Sequence, residues 1–192
     1  AVGESTDKID LMPQVEEVKE KGYEILYLTD YADEFVVQVL QNYDNKKFVN
    51  VASSEVNLEN EEEKKEVEKL NTESKDLLDK MKDVLKDKVT SVKFTNSLKK
   101  HPVCLTSEGA ISTGMEKVLN SMPTNEKVKA STVLSINASH PIAKKIKELY
   151  KTNPEEIEKY TKILYAQAKL IEGLTLDNPS EISDLICEAL SK

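Results

Sequence analysis

The sequence predicts a mixed α/β chain in two parts. A small α/β unit of strand, helix and strand covers residues 1–57. A charged connector follows over 58–75. An α+β domain then fills 76–192, with a small three-stranded sheet and C-terminal helices that close a four-helix bundle with a second copy. Three observations carry this reading. Short apolar runs bounded by turn residues appear near residues 24–29, 48–51, 89–95, 103–106 and 131–137. Apolar residues recur at helical spacing between them. The last third of the chain reads as helix throughout.

In the first part, Val15 and Val18 share a helical face over Met12 to Lys21, with Pro13 in the first turn and Gly22 as a stop. Glu24 to Thr29 is a compact apolar run and reads as a buried strand. Asp30 to Asn42 reads as a helix with Phe35, Val36, Val39 and Leu40 on one face, and Phe48 to Val51 as a second strand. Strand, helix and strand at this spacing make a crossover unit, so the two strands are expected to be parallel.

Residues 58–66 are a charge run without apolar period, which places the boundary there. Val67, Leu70, Leu77, Leu78, Met81, Val84 and Leu85 then mark one long amphipathic helix to about Lys86. Two short strands, Val89 to Thr95 and Val103 to Thr106, precede a helix over Ile111 to Ser121, which Pro123 closes. Ser131 to Asn137 is the third strand. Pro141 opens a helix to about Lys151, Asn153 caps a second that begins at Pro154 and ends at Gly173, and Pro179 or Ser180 opens the last.

Composition excludes several functions. A net charge of −8 argues against a surface that neutralises phosphates, so no nucleic-acid role is expected. No stretch reaches the roughly 20 apolar residues of a membrane helix. Cys104 and Cys187 lack ligand spacing and read as small buried hydrophobes in a reducing compartment. There is no phosphate-binding glycine loop and no nucleophile elbow. His101 and His140 each precede a proline and read as turn or cap residues. No catalytic, cofactor or metal residue is assigned. A phospho-accepting Asp30 with Asp7 and Asp10 as magnesium carboxylates is one alternative, against a simple cap role for Thr29 or Asp30.

Two stretches carry more. Ile111, Met115, Val118, Leu119 and Met122 form an apolar stripe. Packing on the sheet is the reading the pattern favours. An exposed face that grips apolar segments of other proteins is the alternative, which flexible thioethers suit. The helix pair 154–172 and 179–190 can close on its own core or pair with a twin across a two-fold axis. The shortness of the final helix favours the twin, with Ile157, Tyr160, Leu164, Ala168, Ile182, Leu185, Ile186 and Leu190 at the interface. A purely structural dimerisation module is the other reading.

Val2-Gly3-Glu4-Ser5, Lys21-Gly22-Tyr23-Glu24-Ile25-Leu26-Tyr27-Leu28-Thr29-Asp30 and Asp33-Glu34-Phe35 resemble the end of the middle domain of the ninety-kilodalton heat-shock chaperone family. Val89-Thr90-Ser91-Val92, Thr95-Asn96-Ser97-Leu98, Pro102 to Thr106 and Ser112-x-x-Met115-Glu116-Lys117 resemble its C-terminal domain. So do Ile136-Asn137 with His140-Pro141, Leu164-Tyr165-x-x-Ala168 and Leu174-x-Leu176-Asp177-x-Pro179. The resemblance implies part of a cytoplasmic, homodimeric molecular chaperone that is driven by ATP and magnesium and acts on partly folded client proteins. It implies that the ATP site lies upstream, so this stretch is expected to be no enzyme by itself and to hold no cofactor. It also implies client contact through Glu34, Phe35, Ile111, Met115, Val118 and Leu119. The start at Ala1 without a methionine reads as a fragment. An end at Lys192 without an acidic tail or retention signal resembles a bacterial member.

Overall fold

The computed structural model describes residues 1–53, 56, 58, 60–123 and 127–191, with Tyr31 described by its backbone alone. Glu59 of the charge run and the terminal Lys192 lie outside the described residues. The elements are α1 (Thr6–Asp10), α2 (Pro13–Glu20), α3 (Tyr31–Leu40), β1 (Asn42–Tyr43), β2 (Lys46–Lys47), α4 (Glu61–Glu73), α5 (Lys75–Leu85), a 3-10 turn (Lys86–Lys88), β3 (Ser91–Thr95), β4 (Val103–Glu108), α6 (Thr113–Ser121), β5 (Ser131–Asn137), α7 (Pro141–Thr152), α8 (Glu156–Ile171) and α9 (Pro179–Leu190). They fall into two compact units, residues 1–58 with 106–132 and residues 59–105 with 133–192. Residues 106–132, which the linear reading keeps with the C-terminal part, thus cluster with the first 58.

In the first unit Ser5 caps α1 by accepting from the Lys8 amide, and Pro13 opens α2. Ile9 and Val15 are fully buried and Val18 nearly so. Gly3 is required there: a Cβ at that position would lie 2.7 Å from Ile9 Cγ1. Asp30 caps α3, its carboxylate accepting from Ala32 N at 2.9 Å.

The expected parallel crossover does not form. Tyr23 to Leu28 is matched by one parallel bridge, Val2 with Leu28, in which Leu28 N donates to Ala1 O and Gly3 N to Leu28 O. The second strand is displaced to Lys46–Lys47, in a hairpin with β1. Its turn residues Asp44 and Asn45 both have positive φ, 49° and 59°, the left-handed pair that a two-residue hairpin turn demands. The physical reason is pairing. An apolar run becomes a central strand only with neighbours on both edges. Among the described residues this run has Ala1–Gly3 alone. Its side chains instead border an open cavity of about 1100 Å³ with Val37, Phe48 and Val49.

In the second unit the long helix of the pattern is two helices that meet at Ser74, and the first starts inside the charge run. Asn60 and Glu63 form a reciprocal capping box, and Glu61, Glu62 and Glu63 place negative charge at the positive end of the helix dipole. The acidic run is therefore a helix start as well as a solvated face.

The sheet has the order β3-β5-β4, with β3 parallel to β5 from Ser91 opposite Val133 to Thr95 opposite Asn137. Leu78, Met81 and Leu85 of α5, Phe94, Val103, Leu134 and Ile136 of the sheet, Ile146 of α7 and Leu164 of α8 belong to one core. Two asparagines connect loops and edges to it. Asn71 of α4 faces the edge strand β3. Its Nδ2 donates to Phe94 O at 3.1 Å and its Oδ1 accepts from Phe94 N at 2.8 Å. Buried Asn137 donates to Lys99 O and His101 O and accepts from Ser139 N, so it holds the loop between β3 and β4. His140 Nδ1 accepts from Ile142 N and caps α7, the cap role its His-Pro context predicts. Asn153 ends α7 rather than opening the next helix, and α8 begins at Glu156.

Replacing Asn71 by Leu strands both peptide groups of Phe94 beneath an apolar side chain. A loss of roughly 1–3 kcal/mol is expected in urea unfolding. Asn71→Asp, which keeps the acceptor for Phe94 N but turns a second oxygen toward the carbonyls of Val67 and Phe94, should also be destabilised. Equal stability of wild type and Asn71→Leu would refute the pairing.

Candidate functional site

Two surfaces gather the residues that the sequence singles out, one in each unit. The first lies where α3 and α6 pack against each other. Ser112 caps α6, its Oγ accepting from Met115 N at 3.0 Å. Gln38 of α3 reaches Ala110 O at 2.7 Å, with its Nε2 3.2 Å from the Met115 sulfur. Glu34 is buried, and Asn50 Nδ2 donates to its Oε1 at 3.0 Å. Gly114 allows the approach: a Cβ there would lie 3.1 Å from Glu34 Oε2.

The far end of α6 is held like β3. Asn120 Nδ2 donates to Val128 O at 2.7 Å, and its Oδ1 accepts from Val128 N at 2.9 Å. Glu116 accepts from Ala130 N. These bonds fix which face of α6 turns inward.

Met115 lies on that inward face and is buried, as the core reading of the stripe predicts. Phe35, Ile111, Val118 and Leu119 are half-buried. Met122 is exposed. On α3, Val36 and Leu40 are exposed and Val39 is 85% exposed. The sequence supplies the signal for Val36 and Val39, an apolar helical face, but no pattern reveals that nothing in the unit covers them.

The second surface is the hairpin of α8 and α9. Of the residues with helical apolar spacing, Ile157, Leu164 and Ala168 lie in the core of their own unit. Tyr160, Ile182 and Leu185 are half-buried, while Ile186 is exposed and Leu190 is 82% exposed. Leu170, which the pattern does not single out, is exposed too. No residue of α9 is fully buried. Cys187 on this helix is exposed and not buried as expected, for the same reason.

Charge holds α9 in place. Lys159 of α8 pairs with Glu188 at 3.1 Å and with Glu156 at 3.2 Å. Lys162 pairs with Glu158 at 3.0 Å and Glu181 at 3.2 Å. Asp177, ahead of α9, sits 3.0 Å from both Lys169 and Lys88. The Glu188 carboxylate foremost raises the Lys159 pKa, and Glu158 then Glu181 raise that of Lys162. Lys169, with Lys88, lowers that of Asp177. The Tyr165 ring lies under both of these ammonium groups, 5.8 Å from Lys88 and 6.0 Å from Lys169.

Asp30 takes the helix-cap role that the sequence offers for it, and Asp10 is taken up by Lys19 and the Tyr27 hydroxyl. Cys104 is fully buried, and burial pushes its thiol pKa far up. Among the described residues no three His, Cys, Asp or Glu side chains could hold a metal ion, and no helix is long and apolar enough to cross a membrane.

Comparison with known proteins gives one consistent result. The profile of a family described as Hsp90 protein matches residues 1–192. The chain is 46% identical over 190 residues to the chaperone protein HtpG of Clostridium botulinum (strain Loch Maree / Type A3), covering 99% of this chain and 30% of that protein. Identity and coverage are the same for the chaperone protein HtpG of Alkaliphilus oremlandii. That of Bacillus subtilis is 41% identical over the same shares. The chain thus spans about 30% of the length of the relatives it matches.

The burial pattern of α6 separates its apolar residues. Met115→Ser removes a buried side chain and should lower stability by about 2–5 kcal/mol. Leu119→Ser should cost less than about 1.5 kcal/mol. Equal losses in urea unfolding would contradict the orientation of α6.

Proposed function

This chain belongs to the Hsp90 protein family, and from that premise we propose that it is the client-binding and homodimerising part of a bacterial ATP-dependent chaperone, with residues 1–57 the end of its middle domain and 76–192 its C-terminal domain. The two helices α8 and α9 pair with those of a second copy in a four-helix bundle. Partly folded client proteins bind at α3 and α6. ATP is bound with magnesium and hydrolysed in another part of the full-length cytoplasmic protein, and this part supplies neither site.

One observation carries the dimer. The terminal helix α9 has an apolar face but no fully buried residue, and it leaves Ile186 and Leu190 in water. A helix of this kind gains most of its stability by burying that face against another element. The side chains that remain for a partner are Tyr160, Leu170, Ile182, Leu185, Ile186 and Leu190, because Ile157, Leu164 and Ala168 are already enclosed.

Client contact rests on the exposed apolar residues of α3 and α6. Phe35, Val36, Val39, Val118, Leu119 and Met122 offer side chains without a full complement of neighbours. Glu34 and Met115 support this surface from beneath. The burial of Met115 is also what favours the second reading, a structural dimerisation module whose α6 is simply packed.

Sedimentation equilibrium over a dilution series should give a dimer of the 21.6 kDa chain. Replacing Ile186 and Leu190 together by Ser should raise its dissociation constant at least about 100-fold, since each apolar side chain contributes on the order of 1.5–3 kcal/mol when buried. A wild-type monomer at every concentration would remove the dimer from the proposal.

Aggregation of an unfolding test protein should be suppressed without ATP. Replacing Val39 and Leu119 by Ser should weaken that suppression by a factor of roughly 3–10 while the circular dichroism spectrum and urea midpoint stay close to wild type. Unchanged suppression in the folded variant would select the structural module.

A further inference from the structure

The ion pairs around α9 are arranged with one polarity. Every cation belongs to the body of the unit, Lys159, Lys162 and Lys169 on α8 and Lys88 on the 3-10 turn. Every anion facing them across the hairpin belongs to α9 or its lead-in, Asp177, Glu181 and Glu188. The pairs are spaced from the loop to the end of α9, so they form a clasp along the whole helix.

Two features bear on how this clasp responds to salt. The side chains of Lys159 and Lys169 are only 11% and 13% exposed. Their stems are covered, while the carboxylates opposite, Glu188 and Asp177, are 60% and 63% exposed and leave the pairs open to screening. The helix they hold, in turn, lacks the buried apolar residues that anchor α5, α7 and α8. Burial is indifferent to moderate salt, whereas ion pairs at a surface weaken as the Debye length shrinks.

We propose that α9 is an electrostatically clasped arm, seated on α8 by Asp177, Glu181 and Glu188, and that ionic strength sets how firmly it is held. Resting on the homodimer reading above, this makes assembly of two copies salt-sensitive. Release of α9 removes Ile182, Leu185, Ile186 and Leu190 from the shared face at once. The helix thus acts as a regulatory element, and its apolar face is offered to a partner only while the clasp is shut.

Hydrogen exchange of the intact 192-residue chain tests this directly. Samples dilute enough to be monomeric are compared between roughly 0.1 M and 1 M NaCl. Protection of residues 179–190 should fall about fivefold or more at high salt, while that of α5 and α8 changes little. The variant Asp177→Asn with Glu181→Gln and Glu188→Gln should show weak protection of α9 at both salt concentrations. A second variant, Lys159→Met with Lys162→Met, removes the same pairs from the other side and should likewise show weak protection of α9 with a flattened salt response.

In sedimentation, the wild-type dissociation constant should rise about tenfold with salt, and the carboxamide variant should start high and stay flat. Protection of α9 that ignores salt in the wild type would overturn the clasp, even if a dimer forms. An unaltered salt response in the carboxamide variant would overturn it as well. A monomer at all concentrations with salt-sensitive α9 would instead retain the clasp and end the dimer reading.

Discussion

The pairing of one side-chain amide with both peptide groups of an extended residue organises this chain. Phe94 lies at the centre of the second unit's core, yet it belongs to β3, an edge of the sheet. An unpaired backbone N–H and C=O at such a depth would be costly. Asn71 supplies both partners from α4. The same geometry recurs in the first unit, where Asn120 of α6 pairs with Val128. In each case a helix supplies the partners for both peptide groups of one residue, which fixes the helix in rotation, and at Phe94 the helix also covers a sheet edge.

Rotation is what matters for the candidate surfaces. Once Asn120 and Glu116 face the segment 127–130, Met115 must point inward. Val118 and Leu119 then stay at the border with solvent. The hairpin of α8 and α9 follows another rule. Ile157, Leu164 and Ala168 secure α8 to the core by burial, whereas α9 meets α8 through half-buried Ile182 and Leu185 and through ion pairs. Elements held by burial form the scaffold, and under the proposed function the elements held by ion pairs or half-buried contacts are the ones that meet a partner.

The sequence by itself determined the family, most helix positions and several of the caps, though not that of α8, where Asn153 ends α7 instead. Asp30, His140 and Pro179 act as their local context predicts, because capping depends on a few neighbouring residues. It also determined the core face of α5, where helical spacing alone selects Leu77, Leu78, Met81 and Leu85. Tertiary structure decided the rest. Whether Glu24 to Thr29 becomes a strand depends on neighbours that no local pattern encodes, and the described residues offer a single bridge. Whether an apolar stripe is core or surface depends on what packs against it. Val15 and Val39 are both valines on helical faces, and one is fully buried while the other is 85% exposed. Spacing shows that a helix has an apolar side. Only the packed chain supplies, or withholds, the atoms that cover it.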